Sequence, residues 1–149
     1  MTQQGIYFCK KVMETKVNQL IPYLHFEGNC EEALNYYKDI LGGKVDIQSR
    51  YDNPAMKAPE HYREKVLHGR LYFGDLAIYA SDVFPGGQTQ KSSGDVALSL
   101  DVPDSATGEK IFDLLAEGGK VGVPFEKQFW GDWHGNLTDK YGIRWMVNA

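Results

Sequence analysis

Five side chains of the sequence carry chemistry that few other residues could supply: His25, His68, Arg70, Asp101 and Arg144. Two imidazoles with a carboxylate are the raw material of a divalent-metal site or of general acid–base work. Two guanidiniums, with aromatic rings such as Tyr23, Tyr72 and Trp130 near them, suit a compact anionic or aromatic ligand. Taken singly each has an ordinary explanation, because a histidine or arginine on a strand more often meets solvent or an interface than a ligand. The set gains meaning only if the fold aims its members at one space. Nucleophilic chemistry has less support. Cys30 opens a helix, yet its neighbours Glu31 and Glu32 oppose a thiolate, so it reads as a buried structural thiol.

The elements that could position these groups must come from a chain of 149 residues, 42% apolar and 13% aromatic, enough for one domain or two small modules sharing a core. A formal charge of −4 without a basic run argues against nucleic acid and against an anionic membrane surface. Cys9 and Cys30 show no metal-binding or redox spacing and read as reduced thiols of a cytoplasmic protein. No stretch approaches the ~20 apolar residues of a membrane span, and the N-terminus lacks the apolar run of a signal peptide. Residues 1–19 read as an N-terminal extension, with METKVNQLIPYL from Met13 resembling an ordinary start that runs into a strand.

The tetrapeptide GGKV occurs at 42–45 and again at 118–121, an offset of 76 in a chain of 149. Before the first copy lie an apolar strand, LIPYLHF, and a helix, GNCEEALNYYKDIL, with Ala33, Leu34, Tyr37, Ile40 and Leu41 as its stripe. Asn29 and Glu32 have the spacing of a capping box. Before the second copy lie DVALSLDV and a helix capped by Asp104 with Ile111, Leu114 and Leu115 facing inward. Three strands follow each copy. The pattern is β-α-β-β-β written twice: an α+β fold of two modules, about 20–82 and 95–149, joined by the Pro/Gly/Ser-rich stretch 83–94 within one domain, 20–149. The competing reading is one α+β sheet in which GGKV recurs by chance at two helix ends.

Strand parity then selects a wall. Where helices cover one face of a sheet, the uniformly apolar parity faces them and the mixed parity faces away. That rule puts Leu67, Leu71 and Phe73 in the core and Val66, His68, Arg70 and Tyr72 opposite, with Tyr23 and His25 on the mixed side of the first strand. In the second half Asp101 is the counterpart of His25, and Arg144 and Met146 oppose the core residues Ile143, Trp145 and Val147. Aligning the hairpins on Gly74 and Gly142 pairs Met146 with Ile78. The expected ligand-binding set is Tyr23, His25, His68, Arg70, Tyr72, Asp101, Trp130, Arg144 and Met146, with Ile78 in the same wall. Trp130 and Trp133 read equally as core or dimer anchors, Asp132 as a turn residue, and His61 and His134 as solvated loop histidines.

Three segments in order, PYLHFEGNCEEALNYY, HGRLYFGDLAIYASD and FWGDWHGNLTDKYGIRWMVN, resemble the PhnB-like branch of the glyoxalase/bleomycin-resistance, or vicinal oxygen chelate, superfamily. The resemblance implies a U-shaped mixed sheet around a cavity and a homodimer. It leaves the activity open, since the superfamily contains metal-dependent enzymes and metal-free drug-binding proteins. Its commoner metal pattern puts an acid where Met146 stands, with a partner at Ile78; both are apolar here, so no metal ligand is assigned and no cofactor is expected. The leading expectation is a small-molecule-binding protein that is PhnB-like and contacts neither nucleic acid nor membrane. The alternative is a divalent-metal-dependent lyase, isomerase or oxygenase acting on a small oxygen-bearing substrate, with His25 and His68 as ligands and Asp101 or Asp132 beside them. A methyltransferase label attached to this branch finds no glycine-rich nucleotide loop in the sequence.

Overall fold

A computed structural model describes residues 16–91 and 95–149; most of the expected extension, Cys9 and the end of the joint lie outside the described residues. The order is β1 (Tyr23–Phe26), α1 (Cys30–Leu41), β2 (Lys44–Arg50), β3 (Val66–Phe73), β4 (Leu76–Asp82), then β5 (Leu98–Asp101), α2 (Ser105–Ala116), β6 (Lys120–Lys127), β7 (Trp133–Thr138) and β8 (Arg144–Asn148). Two short 3-10 turns, Pro54–Met56 and Glu60–Tyr62, occupy the long loop between β2 and β3. Each half forms a four-stranded mixed sheet of the same topology, β1-β4-β3-β2 and β5-β8-β7-β6, in which the first strand runs parallel to the last. The architecture is α+β with two βαβββ units, as the doubled pattern requires. No helix among the described residues is long and apolar enough to cross a membrane.

The repeated tetrapeptide has a steric reason. Gly43 carries a φ of 95°, and a Cβ built on it would stand 1.9 Å from the carbonyl oxygen of Tyr72. At the second copy a Cβ on Gly119 would stand 2.3 Å from the carbonyl oxygen of Thr138. Lys44 pairs with Tyr72 and Lys120 with Thr138, so the two glycines occupy equivalent places where the chain leaves a helix and presses against the adjacent strand.

Helix α2 is capped as its sequence predicts, with Asp104 accepting from the Thr107 amide at 2.7 Å. Helix α1 is not: Asn29 makes no side-chain cap bond, and the buried carboxylate of Asp82, at the end of β4, accepts from the Gly28 and Cys30 amides at 2.8 and 2.9 Å and from the Val66 amide at 2.9 Å. A carboxylate remote in sequence thus supplies the anionic acceptor that a helix N-terminus favours.

One core serves both halves, with Phe26, Leu34, Tyr37, Leu71, Phe112, Leu115, Trp145 and Val147 among its members. Asp139, in the turn from β7 to β8, accepts from the Tyr37 hydroxyl at 2.6 Å, the Trp145 indole at 2.8 Å and the amides of Tyr141 and Ile143 at 2.8 and 3.0 Å. It ties α1 of one half to the last hairpin of the other. Cys30 is fully buried, and burial, with the Asp82 charge next, drives its thiol far above the usual range, which excludes it as a nucleophile.

The parity reading holds at Leu71, fully buried beneath α1, with His68 and Arg70 on the other face. It fails at two places. Val66 is buried in the core, while Leu67 lies outside that cluster: the β2–β3 register shifts around Ser49, so one residue of β3 is extra and parity reverses beyond it. Ile78 pairs with Leu71 and is buried on the helix side, so it does not line the mixed face. The hairpin tips differ in length, Phe73 pairing with Leu76 across two residues but Thr138 with Arg144 across five, and aligning them on a shared glycine slips the register by one. Leu71→Ala is expected to cost about 3 kcal/mol in urea unfolding while leaving the residues of the opposite face in place.

Candidate functional site

The face of the first sheet that turns away from α1 carries an interlinked set of side chains from three strands. Register puts Tyr23, Tyr79 and Arg70 in one row across β1, β4 and β3, with Asp46 of β2 at its end; beyond it His25 pairs with Ser81, and His68 with Ser49. Within the set, the Tyr23 hydroxyl lies 2.9 Å from His68 Nδ1 and the two rings stack at 5.6 Å. Arg70 Nε donates to His68 Nε2 at 3.1 Å, Arg70 Nη1 donates to the Tyr72 hydroxyl at 3.2 Å, and the guanidinium carbon lies 4.9 Å from the centre of the Tyr79 ring. The Tyr79 ring stands edge-on to His68 and to Tyr72.

This packing sets the protonation of the group. Burial, and then the Arg70 charge, hold the His68 imidazole below its ordinary range. Hydrogen bonding with Tyr72, then burial, lifts the Tyr79 phenol above its own. The face therefore presents a neutral imidazole, a protonated Tyr79 phenol and the fixed positive charge of Arg70. Tyr23 and Tyr72 keep a good part of their surfaces open, at 41% and 37%.

The second sheet has matching rows, Ser99, Met146, Asn136 and Val123, then Asp101, Asn148, His134 and Glu126. Asp101 stands where His25 stands in the first half, as the offset predicts, and Met146 matches Tyr79 rather than Ile78. His134 is not in a loop: it lies in β7, matches His68, and its Nδ1 is 2.8 Å from the Asn148 side-chain oxygen. A hydrogen-bonded histidine thus recurs in each sheet with a different partner.

Between the halves runs a groove of about 570 Å³ that brings Tyr23, His25 and Arg144 together under the joint segment. Lys91 reaches across it, donating to the His25 carbonyl at 2.7 Å with its ammonium over the Phe26 ring. A second groove of about 410 Å³, lined by Ile21, Pro22, Leu76, Ile78 and Leu100, is largely apolar. Trp130 belongs to neither. It stands half-exposed on the β6–β7 turn against Phe129 and His134, on the hairpin that ends in the far edge of the second sheet. Of the expected set, Tyr23, His68, Arg70 and Tyr72 form one cluster, Tyr23, His25 and Arg144 share the groove, and Asp101 and Met146 lie on the second sheet. Sequence reasoning missed Tyr79, which completes the cluster, and Lys91; counting from the paired ends of each hairpin would have found Tyr79.

The arrangement fits a metal poorly. Among the described residues no group of three His, Cys, Asp or Glu side chains is placed to hold an ion. His68 Nε2 is engaged by an arginine, whose charge also repels a cation. The last-strand positions hold Met146 and a Tyr79 phenol kept protonated, neither a hard anionic oxygen.

A family model described as 3-demethylubiquinone-9 3-methyltransferase matches residues 18–148. Protein YjdN of Escherichia coli (strain K12) is 30% identical over 140 residues, covering 87% of this chain and 94% of that protein. The crystal structure of protein PA1353 from Pseudomonas aeruginosa is 37% identical, covers 89% of this chain and 97% of its own, and superposes with a TM-score of 0.77. A Bacillus cereus structure described as a putative 3-demethylubiquinone-9 3-methyltransferase, PhnB protein, has a TM-score of 0.75 at 22% identity over 87% of this chain and 98% of its own. The fold is shared further with a glyoxalase/bleomycin resistance protein/dioxygenase family enzyme from Burkholderia phytofirmans PsJN, at a TM-score of 0.56 and 14% identity over 85% and 94% of the two chains.

Proposed function

The chain belongs to the family of that matched model, the PhnB-like branch of the glyoxalase/bleomycin-resistance superfamily, and from that premise we propose that it binds a compact small molecule on the mixed face of its first sheet. The observation that carries this reading is the Tyr23–His68–Arg70–Tyr72–Tyr79 cluster, in which aromatic rings fix a guanidinium and an imidazole on an accessible surface. Structural ion pairs do not explain it, because no carboxylate lies within 4 Å of Arg70 among the described residues. The groove beside it, with His25 and Arg144, gives the ligand room to extend.

Methyl transfer is not proposed. The turns from strand into helix, residues 27–29 and 102–104, are not the glycine-rich loops that cradle a nucleotide cofactor. A metal-dependent reaction is not proposed either, for the donor set described above does not fit an ion. We further place the protein in the cytoplasm as a homodimer; the exposed Phe129, Trp130, Val121 and Val123 of the second half supply apolar surface for a second copy.

Untagged protein purified without denaturant is expected to gain thermal stability from members of a library of compact compounds, and Arg70→Ala or Tyr79→Ala should abolish those gains. Zinc, nickel, manganese or iron should leave the melting temperature nearly unchanged. Close to one tightly held ion per chain by elemental analysis, lost with His25→Ala or His68→Ala, would overturn the reading in favour of a metalloenzyme.

A further inference from the structure

The His68 ring lies between two partners with opposite consequences. Arg70 Nε has one hydrogen and no lone pair to offer, so in its 3.1 Å bond to His68 Nε2 the imidazole nitrogen must accept. A neutral imidazole has one hydrogen, which then resides on Nδ1. Nδ1 faces the Tyr23 hydroxyl oxygen at 2.9 Å and donates to it. With its oxygen accepting from His68, Tyr23 directs its own O–H elsewhere, on a side chain that stays accessible.

Arg70 is fixed in the same way. Nε is committed to His68, one Nη1 hydrogen to Tyr72, and the plane rests near the Tyr79 ring. Asp46, opposite it on β2, engages the Gln48 amide and makes no ion pair with it. Arg70 Nη2 therefore has no carboxylate partner among the described residues. The groups packed around His68 are Tyr23 on β1, Arg70 on β3, Tyr79 on β4 and Ser49 on β2; none is an anion that would favour imidazolium. Burial and the arginine charge both disfavour that form.

Around His68 the face thus offers ligand-directed hydrogens, while the Asp46 carboxylate at the end of the row is engaged by the Gln48 amide. Building on the binding face proposed above, the geometry points to a carboxylate receptor: the Arg70 terminal N–H groups take the two oxygens of a ligand carboxylate, while the Tyr23 O–H, at the other end of the imidazole, is directed at a second acceptor of the ligand, with His68 as the positioning residue that fixes the direction of the Tyr23 hydrogen. A carboxylate is planar, anionic and purely accepting, which matches a fixed guanidinium fork. An ammonium or an alcohol lacks the charge, the acceptors or both.

Nuclear magnetic resonance of the full chain tests this without any assumed activity. Long-range proton–nitrogen spectra should show the His68 hydrogen on Nδ1 at neutral pH, and Arg70→Met should move it to Nε2, the tautomer free imidazoles favour. Benzoate, benzyl alcohol and benzylamine share a ring and differ in the polarity of one group. Benzoate should perturb Arg70 and bind at least about tenfold more tightly than the other two, with Arg70→Met losing about tenfold, the scale of one hydrogen bond to a charged group. An Nε2 hydrogen on His68 in the unaltered protein, or benzylamine equal to benzoate, would overturn the receptor. If the compound library still stabilises the protein through Arg70 and Tyr79 while benzoate leaves those side chains unmoved, the binding face stands and the carboxylate assignment falls. If both are silent, both fall.

Discussion

Asp139→Ala is expected to remove about 5 kcal/mol of stability, a large part of what a domain of this size possesses. The carboxylate is 3% exposed and accepts four hydrogen bonds, two from side chains and two from backbone amides. Alanine fills none of these roles, so the Tyr37 hydroxyl, the Trp145 indole and two amides lose their acceptor in a place with little room for water. Each uncompensated buried donor costs about 1–3 kcal/mol, and relaxation at the turn recovers part of the sum. The loss falls at the junction: Tyr37 belongs to α1 and Trp145 to β8, so the two halves should loosen from each other before either loses its sheet. Tyr37→Phe, which removes one donor and keeps the ring, should cost only about 1–2 kcal/mol. Urea unfolding followed by tryptophan fluorescence measures both. A midpoint for Asp139→Ala close to that of the unaltered protein would show that the halves are held together by apolar contact alone.

The second large effect is expected at Gly43→Ala, with a loss of about 4 kcal/mol from two sources. A φ of 95° is strained for any residue with a side chain, and the new methyl would stand 1.9 Å from the Tyr72 carbonyl oxygen. Backbone cannot rotate aside as a flexible side chain can, so β2 must lift from β3 at the start of their ladder. The control is the adjacent glycine. Gly42 also has a positive φ, of 80°, but nothing lies within 4 Å of its absent Cβ. Gly42→Ala should therefore cost about 1 kcal/mol, the conformational part alone. Equal losses at the two positions would mean that the close approach of the strands is not what demands the glycine.

Much of the fold was legible because its signals are local. Helical stripes, alternating strands, the Asp104 cap and diglycine stops each need only a few neighbouring residues, and the doubled order of elements added mutual support. The misreadings are non-local. The acceptor at the start of α1 comes from Asp82, far along the chain, and no nearby residue reveals it. Val66 and Ile78 were misplaced because strand parity survives neither an extra residue in β3 nor a difference in hairpin length.

The site followed the same division. His68, Arg70 and Tyr72 alternate along one strand, and their shared face could be read from spacing alone. Tyr23 joins them through β4, which lies between β1 and β3, and Tyr79 is on that strand; finding it required the cross-strand register. Trp130 was named for its aromatic character alone; its position on the β6–β7 turn, against His134 and outside both grooves, depends on where the hairpin sits in the sheet.

The shifts of register in β2 and β6 bear on a different hazard. Both strands are last in their sheets, with backbone donors and acceptors unpaired along one side. A straight strand in that position is a template on which another molecule's strand can add, and then another, until the protein precipitates or forms fibres. Here each outermost strand is bent by its irregular pairing. In β6 the bend spans Pro124, which has no N–H to offer, and lysines at 120 and 127 bracket it with like charges that would meet their own copies. Writing the module twice doubled the number of outer strands, and the same bends that complicate parity keep those strands from recruiting others.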